Sequence, residues 1–166
     1  MRSRRPDKLD DAALNDRLEF AIAIARDAAD VIMPFYKRDD LRVMHKGDSS
    51  PVTLADQQAE KLVRNRIDAI FPADGILGEE YGTKAGSNSE GFNWIVDPID
   101  GTESFIRGVP FFGTLLGIEF ANTPVAGVIM LPAIGEMLYA SRGNGTWIMV
   151  GDDSPRQVYV SKISDP

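Results

Sequence analysis

The chain has 166 residues and no cysteine, which suits one domain and excludes disulfides, thiolate metal sites and cysteine nucleophiles. Hydrophobic residues make up 43% and charged residues 26%, the balance of a globular protein, and no apolar run nears the roughly 18 residues that span a bilayer. Acids outnumber bases 25 to 18, for a net charge of −7; the basic stripe needed for nucleic acid is missing, and an anionic substrate needs bound cations to invert the local field.

The basic start, Met1-Arg-Ser-Arg-Arg-Pro6, runs into Asp7, Asp10 and Asp11. With no apolar stretch behind it, it does not read as a secretory signal, and a cytoplasmic location is the expectation. From about Asp11 to Tyr36, Leu14, Leu18, Ile22, Ala25, Ala29, Ile32 and Phe35 recur at helical steps, which predicts a long amphipathic helix. The polar stretch Lys37 to Ser50 holds the single histidine, His45, which is given no role. A second helix is expected from about Leu54 to Phe71, with Ala55, Ala59, Leu62, Ile67 and Ile70 on one face and Pro72 closing it. Gly75-Ile-Leu-Gly-Glu-Glu80 reads as a strand end, Tyr81 to Gly91 as a polar loop, and Trp94-Ile-Val as a buried strand ending at Asp97. Strand-length runs follow at Phe112 to Phe120, Val125 to Leu131, Glu136 to Ser141 and Thr146 to Val150, with Asn144-Gly145 as a hairpin turn. Two helices followed by successive antiparallel strands give an α+β layered sandwich.

The segment Trp94-Ile-Val-Asp-Pro-Ile-Asp-Gly-Thr102 carries the chemistry. Pro98 cannot continue a ladder, so pairing is expected to stop there, and Asp100-Gly101-Thr102 resembles a helix start. The amides of Gly101 and Thr102 then sit at a positive helix end suited to phosphate. A plainer reading makes Asp100 an N-cap and Asp97 a turn former. Convergence of Glu79, Asp97 and Asp100 requires cations or a proton, since two unit charges about 4 Å apart repel by roughly 4 kcal/mol at an effective dielectric of 20. All-oxygen ligands favour Mg²⁺ over Zn²⁺. Thr53-Leu-Ala-Asp56 satisfies a capping box, so Asp56 is first of all a cap.

These residues resemble a known family. The segment from Trp94 to Thr102 is similar to the first signature of the inositol monophosphatase superfamily. Gly78-Glu-Glu80 is similar to its upstream acidic motif, and Lys46 through Asp56 to its earlier segment. The resemblance implies a layered sandwich in which two N-terminal helices pack on a mainly antiparallel sheet. It also implies hydrolysis of a small phosphorylated metabolite with about two or three Mg²⁺ ions. Residue by residue, it makes Glu79, Asp97, the carbonyl of Ile99, and Asp100 metal ligands. Thr102 with Glu79 orients and helps deprotonate the attacking water, Asp56 holds an outer-shell water or a third ion, and Asp100 with the amides of Gly101 and Thr102 meets the phosphate. No membrane or nucleic acid is expected as a partner, and a homodimer is an open alternative to a monomer.

Two departures from the family pattern shape the expectation. Where an Asn-Phe pair usually follows the threonine, this sequence has Glu103-Ser104-Phe105-Ile106-Arg107-Gly108. That wording resembles the histidinol-phosphatase branch, whose reaction belongs to histidine biosynthesis, more than the inositol branch. Family members also continue into a second α/β domain, so residues 1–166 are expected to form a single N-terminal metal- and phosphate-binding domain with the second domain absent. The alternatives are an inositol-1-monophosphatase and a non-catalytic metal- or phosphate-binding remnant.

Overall fold

The computed structural model describes residues 9–45, 47, 51–87 and 91–163. The basic start, Lys46 and the last three residues therefore lie outside the described residues. Asp10 caps the first helix, its Oδ1 accepting from Ala12 N at 3.1 Å. This helix, α1 (Asp11–Ile32), buries Leu14, Ala21, Ile24, Ala25, Ala28 and Ile32. It ends four residues before the expected Tyr36 because Pro34 follows, and Met33–Phe35 form a 3-10 turn, the tighter continuation that an interior proline leaves open.

Two short strands pair antiparallel, β1 (Val43–His45) inside the polar stretch Lys37 to Ser50 and β2 (Pro51–Thr53) just after it. His45 lies exposed on β1. Helix α2 (Leu54–Ile70) buries Ala55, Ala59, Val63 and Ile67, whereas Ile70 points outward at 59% exposure. The small alanines on both helices allow close packing of α1 on α2.

The remaining strands form one eight-stranded sheet. In chain order they are β3 (Gly75–Gly78), β4 (Gly82–Lys84), β5 (Phe92–Asp100), then, after helix α3 (Thr102–Ile106), β6 (Gly113–Phe120), β7 (Thr123–Leu131), β8 (Glu136–Ser141), β9 (Gly145–Val150) and β10 (Arg156–Val158). Their spatial order is β10-β9-β8-β7-β6-β5-β3-β4, antiparallel throughout except for the parallel pair β3–β5. β4 falls in the segment expected to be a loop, and β10 follows the last expected strand. Both are three-residue edge strands, too short to leave an alternation in the sequence. The β8–β9 hairpin turns through Arg142 to Asn144, and Gly145 already pairs with Ser141.

Phe92, Trp94 and Val96 of β5 are buried beneath the helices, while Ile95 and Asp97 border the opposite face of the sheet. Trp94 is fully buried, and its Nε1 donates to Asp74 Oδ2 at 2.9 Å. Arg17 of α1 donates to both oxygens of Asp74 at 2.8 Å and lies over the rings of Phe71 and Phe92. A cation on one helix thus ties the entry of β3 to β5, fixing the two parallel strands on which the acidic residues stand.

Candidate metal and phosphate site

The parallel register pairs Gly78 with Val96. The residue after each is an acid, so Glu79, just past the end of β3, stands beside Asp97 of β5, three residues before that strand ends. Glu79 N donates to Val96 O at 3.1 Å, which fixes the turn at that level.

The strand does not stop at Pro98. β5 runs on to Asp100, but its register with β6 shifts between Asp97, opposite Leu115, and Asp100, opposite Gly113. The proline removes a donor, and the ladder bulges instead of ending. Thr114, fully buried, satisfies the freed carbonyl by donating from Oγ1 to Pro98 O at 2.9 Å. The bulge brings Asp100 to the surface and leaves Ile99 buried between the two aspartates.

Gly101 follows with φ of 82° and is itself the N-cap of α3, so Asp100 does not cap the helix. A side chain at Gly101 would be strained in this left-handed conformation and would stand 3.2 Å from Phe111 O. Helix α3 begins at Thr102, within the expected start Asp100-Gly101-Thr102, and Thr102 Oγ1 donates to Ile99 O at 3.0 Å. Tyr36 secures this segment: its OH donates to Gly108 O at 2.7 Å, and its ring packs on Phe105 and Phe112.

Asp56 forms the capping box read from the sequence. Its Oδ2 accepts from Thr53 N at 2.8 Å and from Thr53 Oγ1 at 2.6 Å, and the residue is 2% exposed. Burial raises its pKa, the Thr53 bonds oppose that rise, and the Glu79 charge adds to it. Asp97 is pushed up to about 8, first by burial, then by a hydrogen bond with Glu79, and then by the charges of Glu79, Asp100 and Asp56. Four acids therefore share one electrostatic neighbourhood, and within it Glu79 and Asp97 are hydrogen-bonded. Among the described residues no group of three or more Asp, Glu or His side chains is disposed to hold a metal ion as it stands. The two facts agree if the Glu79–Asp97 pair is held by a shared proton.

The donors fit a hard dication in kind, being all oxygens. Asp97 Oδ1 is buried with no hydrogen-bond partner, a costly state for an acceptor unless it has a ligand to meet.

The sequence pattern of the inositol monophosphatase family matches residues 13–163. The chain belongs to the inositol monophosphatase family. Within it, the chain is 43% identical over 141 residues to the histidinol-phosphatase of Chlorobaculum parvum, covering 85% of this chain and 52% of that protein. It is 37% identical over 151 residues to the histidinol-phosphatase of Mycobacterium tuberculosis, covering 91% and 57%. Among solved structures, the Thermotoga maritima IMPase superposes with a TM-score of 0.79 at 32% identity, covering 89% of this chain and 54% of that one. The chain thus spans little more than half the length of these family members.

Two residues of this neighbourhood escaped the sequence reading. Thr114 sits in an apolar strand and carries no motif. Glu60 is fully buried on α2; its signal was the four-residue spacing Asp56, Glu60, Arg64, which puts all three on one helix face.

Proposed function

We propose that this chain is the metal- and phosphate-binding part of a Mg²⁺-dependent phosphomonoesterase acting on histidinol phosphate. The observation that carries the reading is the parallel register Gly78–Val96, which sets Glu79 beside Asp97, where burial first and the Glu79 bond second raise Asp97 to about 8. Glu79, Asp97, Asp100 and the carbonyl of Ile99 would hold Mg²⁺, with Asp56 behind them. When bound, Mg²⁺ supplies Lewis-acid polarisation of the phosphoryl oxygens and lowers the pKa of water.

The chain's own groups do the rest. Thr102 Oγ1, now bonded to Ile99 O, orients the attacking water together with Glu79. The carboxylate of Glu79 takes the proton from that water as general base. The amides of Gly101 and Thr102 meet the phosphate oxygens, and Asp56 stays hydrogen-bonded to Thr53. The part of the family members' length beyond that spanned by this chain is proposed to complete the site and contact the alcohol. The metabolite is polar and small, so a cytoplasmic setting is part of the proposal; among the described residues no helix is long and apolar enough to cross a membrane. The choice of histidinol phosphate over inositol 1-phosphate rests on Ser104, Phe105 and Arg107 and on the names of the relatives above.

The test is phosphate release from a panel of histidinol phosphate, inositol 1-phosphate, adenosine 3′,5′-bisphosphate and fructose 1,6-bisphosphate. The protein assayed is this chain continued by the second half of the Chlorobaculum parvum relative. Mg²⁺-dependent release, fastest with histidinol phosphate and lost in Asp97→Asn, is expected. Preference for inositol 1-phosphate overturns the substrate, and release that survives Asp97→Asn overturns the site.

A further inference from the structure

We propose that Glu60 is a positioning residue that clamps the turn bearing Glu79. This rests on the metal reading above, to which it adds a residue that none of the family motifs in this sequence includes. Glu60 lies on α2 one turn after Asp56 and is fully buried. Its two oxygens are spent on the backbone just beyond Glu79: Oε2 accepts from Glu80 N at 2.6 Å and Oε1 from Tyr81 N at 3.2 Å. Arg64, one turn further along α2, donates from Nη1 to Glu60 Oε1 at 3.0 Å and to Gly82 O at 2.9 Å. The buried charge therefore has a cation and two amides, the partners a carboxylate needs when removed from water.

The clamp explains the glycine before Glu79. A Cβ built on Gly78 would overlap the Glu60 carboxylate and crowd Arg64 Nη1 at 2.7 Å. The glycine lets an acid on α2 reach the backbone of the β3–β4 turn. Glu79 is thereby held from both sides, its own N–H on Val96 O and the next two amides on Glu60. An exposed acid on a tight turn otherwise samples many positions, and a metal site needs its ligands held to within about half an ångström.

The test compares wild type with Glu60→Gln, which keeps the shape but cannot serve two amides and Arg64 as an anion. In metal-free protein, hydrogen exchange at the Glu80 and Tyr81 amides is expected to rise at least tenfold in Glu60→Gln, with exchange in α1 unchanged. The Mg²⁺ concentration giving half-maximal thermal stabilisation is expected to rise by about tenfold as well. Leu14→Ala, which destabilises the core at a residue that makes none of the clamp's hydrogen bonds, separates positioning from general weakening and should leave that half-point alone. If Glu60→Gln is not recovered folded, Arg64→Gln takes its place and should move both readouts in the same direction by smaller factors. Unchanged exchange at the two amides, or a half-point that moves equally in Leu14→Ala, overturns the clamp. A wild-type chain with no Mg²⁺ response overturns the metal reading instead, while the exchange result alone decides whether Glu60 holds the turn.

Discussion

Replacing Asp97 by Asn is expected to stabilise the metal-free protein at neutral and alkaline pH. Its carboxyl is raised to about 8 by burial, by the Glu79 bond and by neighbouring charges, against roughly 3.9 in an unfolded chain. The folded state therefore binds the extra proton between those values. The stability contributed by the protonated form is full below about pH 4 and is lost as pH climbs through 8. From about 3.9 to 7 the linkage amounts to roughly 4 kcal/mol at 1.36 kcal/mol per unit. Asp97 is only half-buried, and solvent screening cuts that to about 1–2 kcal/mol. Asn keeps a donor for Glu79 and has no charge to desolvate. In a domain of this size its melting temperature should exceed that of wild type by about 3–6 °C at pH 8 in EDTA, with the gap closing towards pH 4. Calorimetric melts at pH 4, 6 and 8 give the comparison. A variant less stable than wild type at pH 8, or a gap that does not change with pH, would refute the reasoning.

Three further perturbations have defined outcomes. Asp74→Ala leaves Arg17 buried without its carboxylate and removes the acceptor of Trp94 Nε1; it should cost about 3–5 kcal/mol, read as a lower urea midpoint. Ala121 turns the β6–β7 hairpin with φ of 49°, so Ala121→Gly should relieve strain and, after glycine's entropy, raise stability by about 0.5–1 kcal/mol in thermal melts. Gly101→Ala places a side chain in a left-handed position beside Phe111 O and should cost about 1–2 kcal/mol of stability. It should also slow phosphate release in the two-half protein at least tenfold, since that backbone is proposed to meet the phosphate.

Helices and the main antiparallel strands were legible because each carries a long period of apolar residues, as the Leu14 to Ile32 stripe does. β1, β4 and β10 were not, because three residues leave no alternation to read. The acids Glu79, Asp97 and Asp100 were legible as a motif, but the pairing of Glu79 with Asp97 was not. That depends on a parallel register between residues 18 apart in the sequence, as Gly78 and Val96 are, and on a bulge that carries β5 past a proline. The capping box at Asp56 was read correctly because it is local in sequence. The spacing Asp56, Glu60, Arg64 puts Glu60 on the face of Asp56, but its role was hidden because its partners include backbone amides 20 and 21 residues away.

The most direct test of the metal site is a calorimetric titration of Mg²⁺ at pH 7 in two buffers that differ in ionisation enthalpy. With Asp97 at about 8, most molecules carry a proton between Glu79 and Asp97 at that pH, and a dication must displace it. The account predicts saturable binding that releases close to one proton per site at pH 7 and far less at pH 9, and that disappears in Asp97→Asn. Binding without proton release at pH 7, or equal binding by Asp97→Asn, would contradict it.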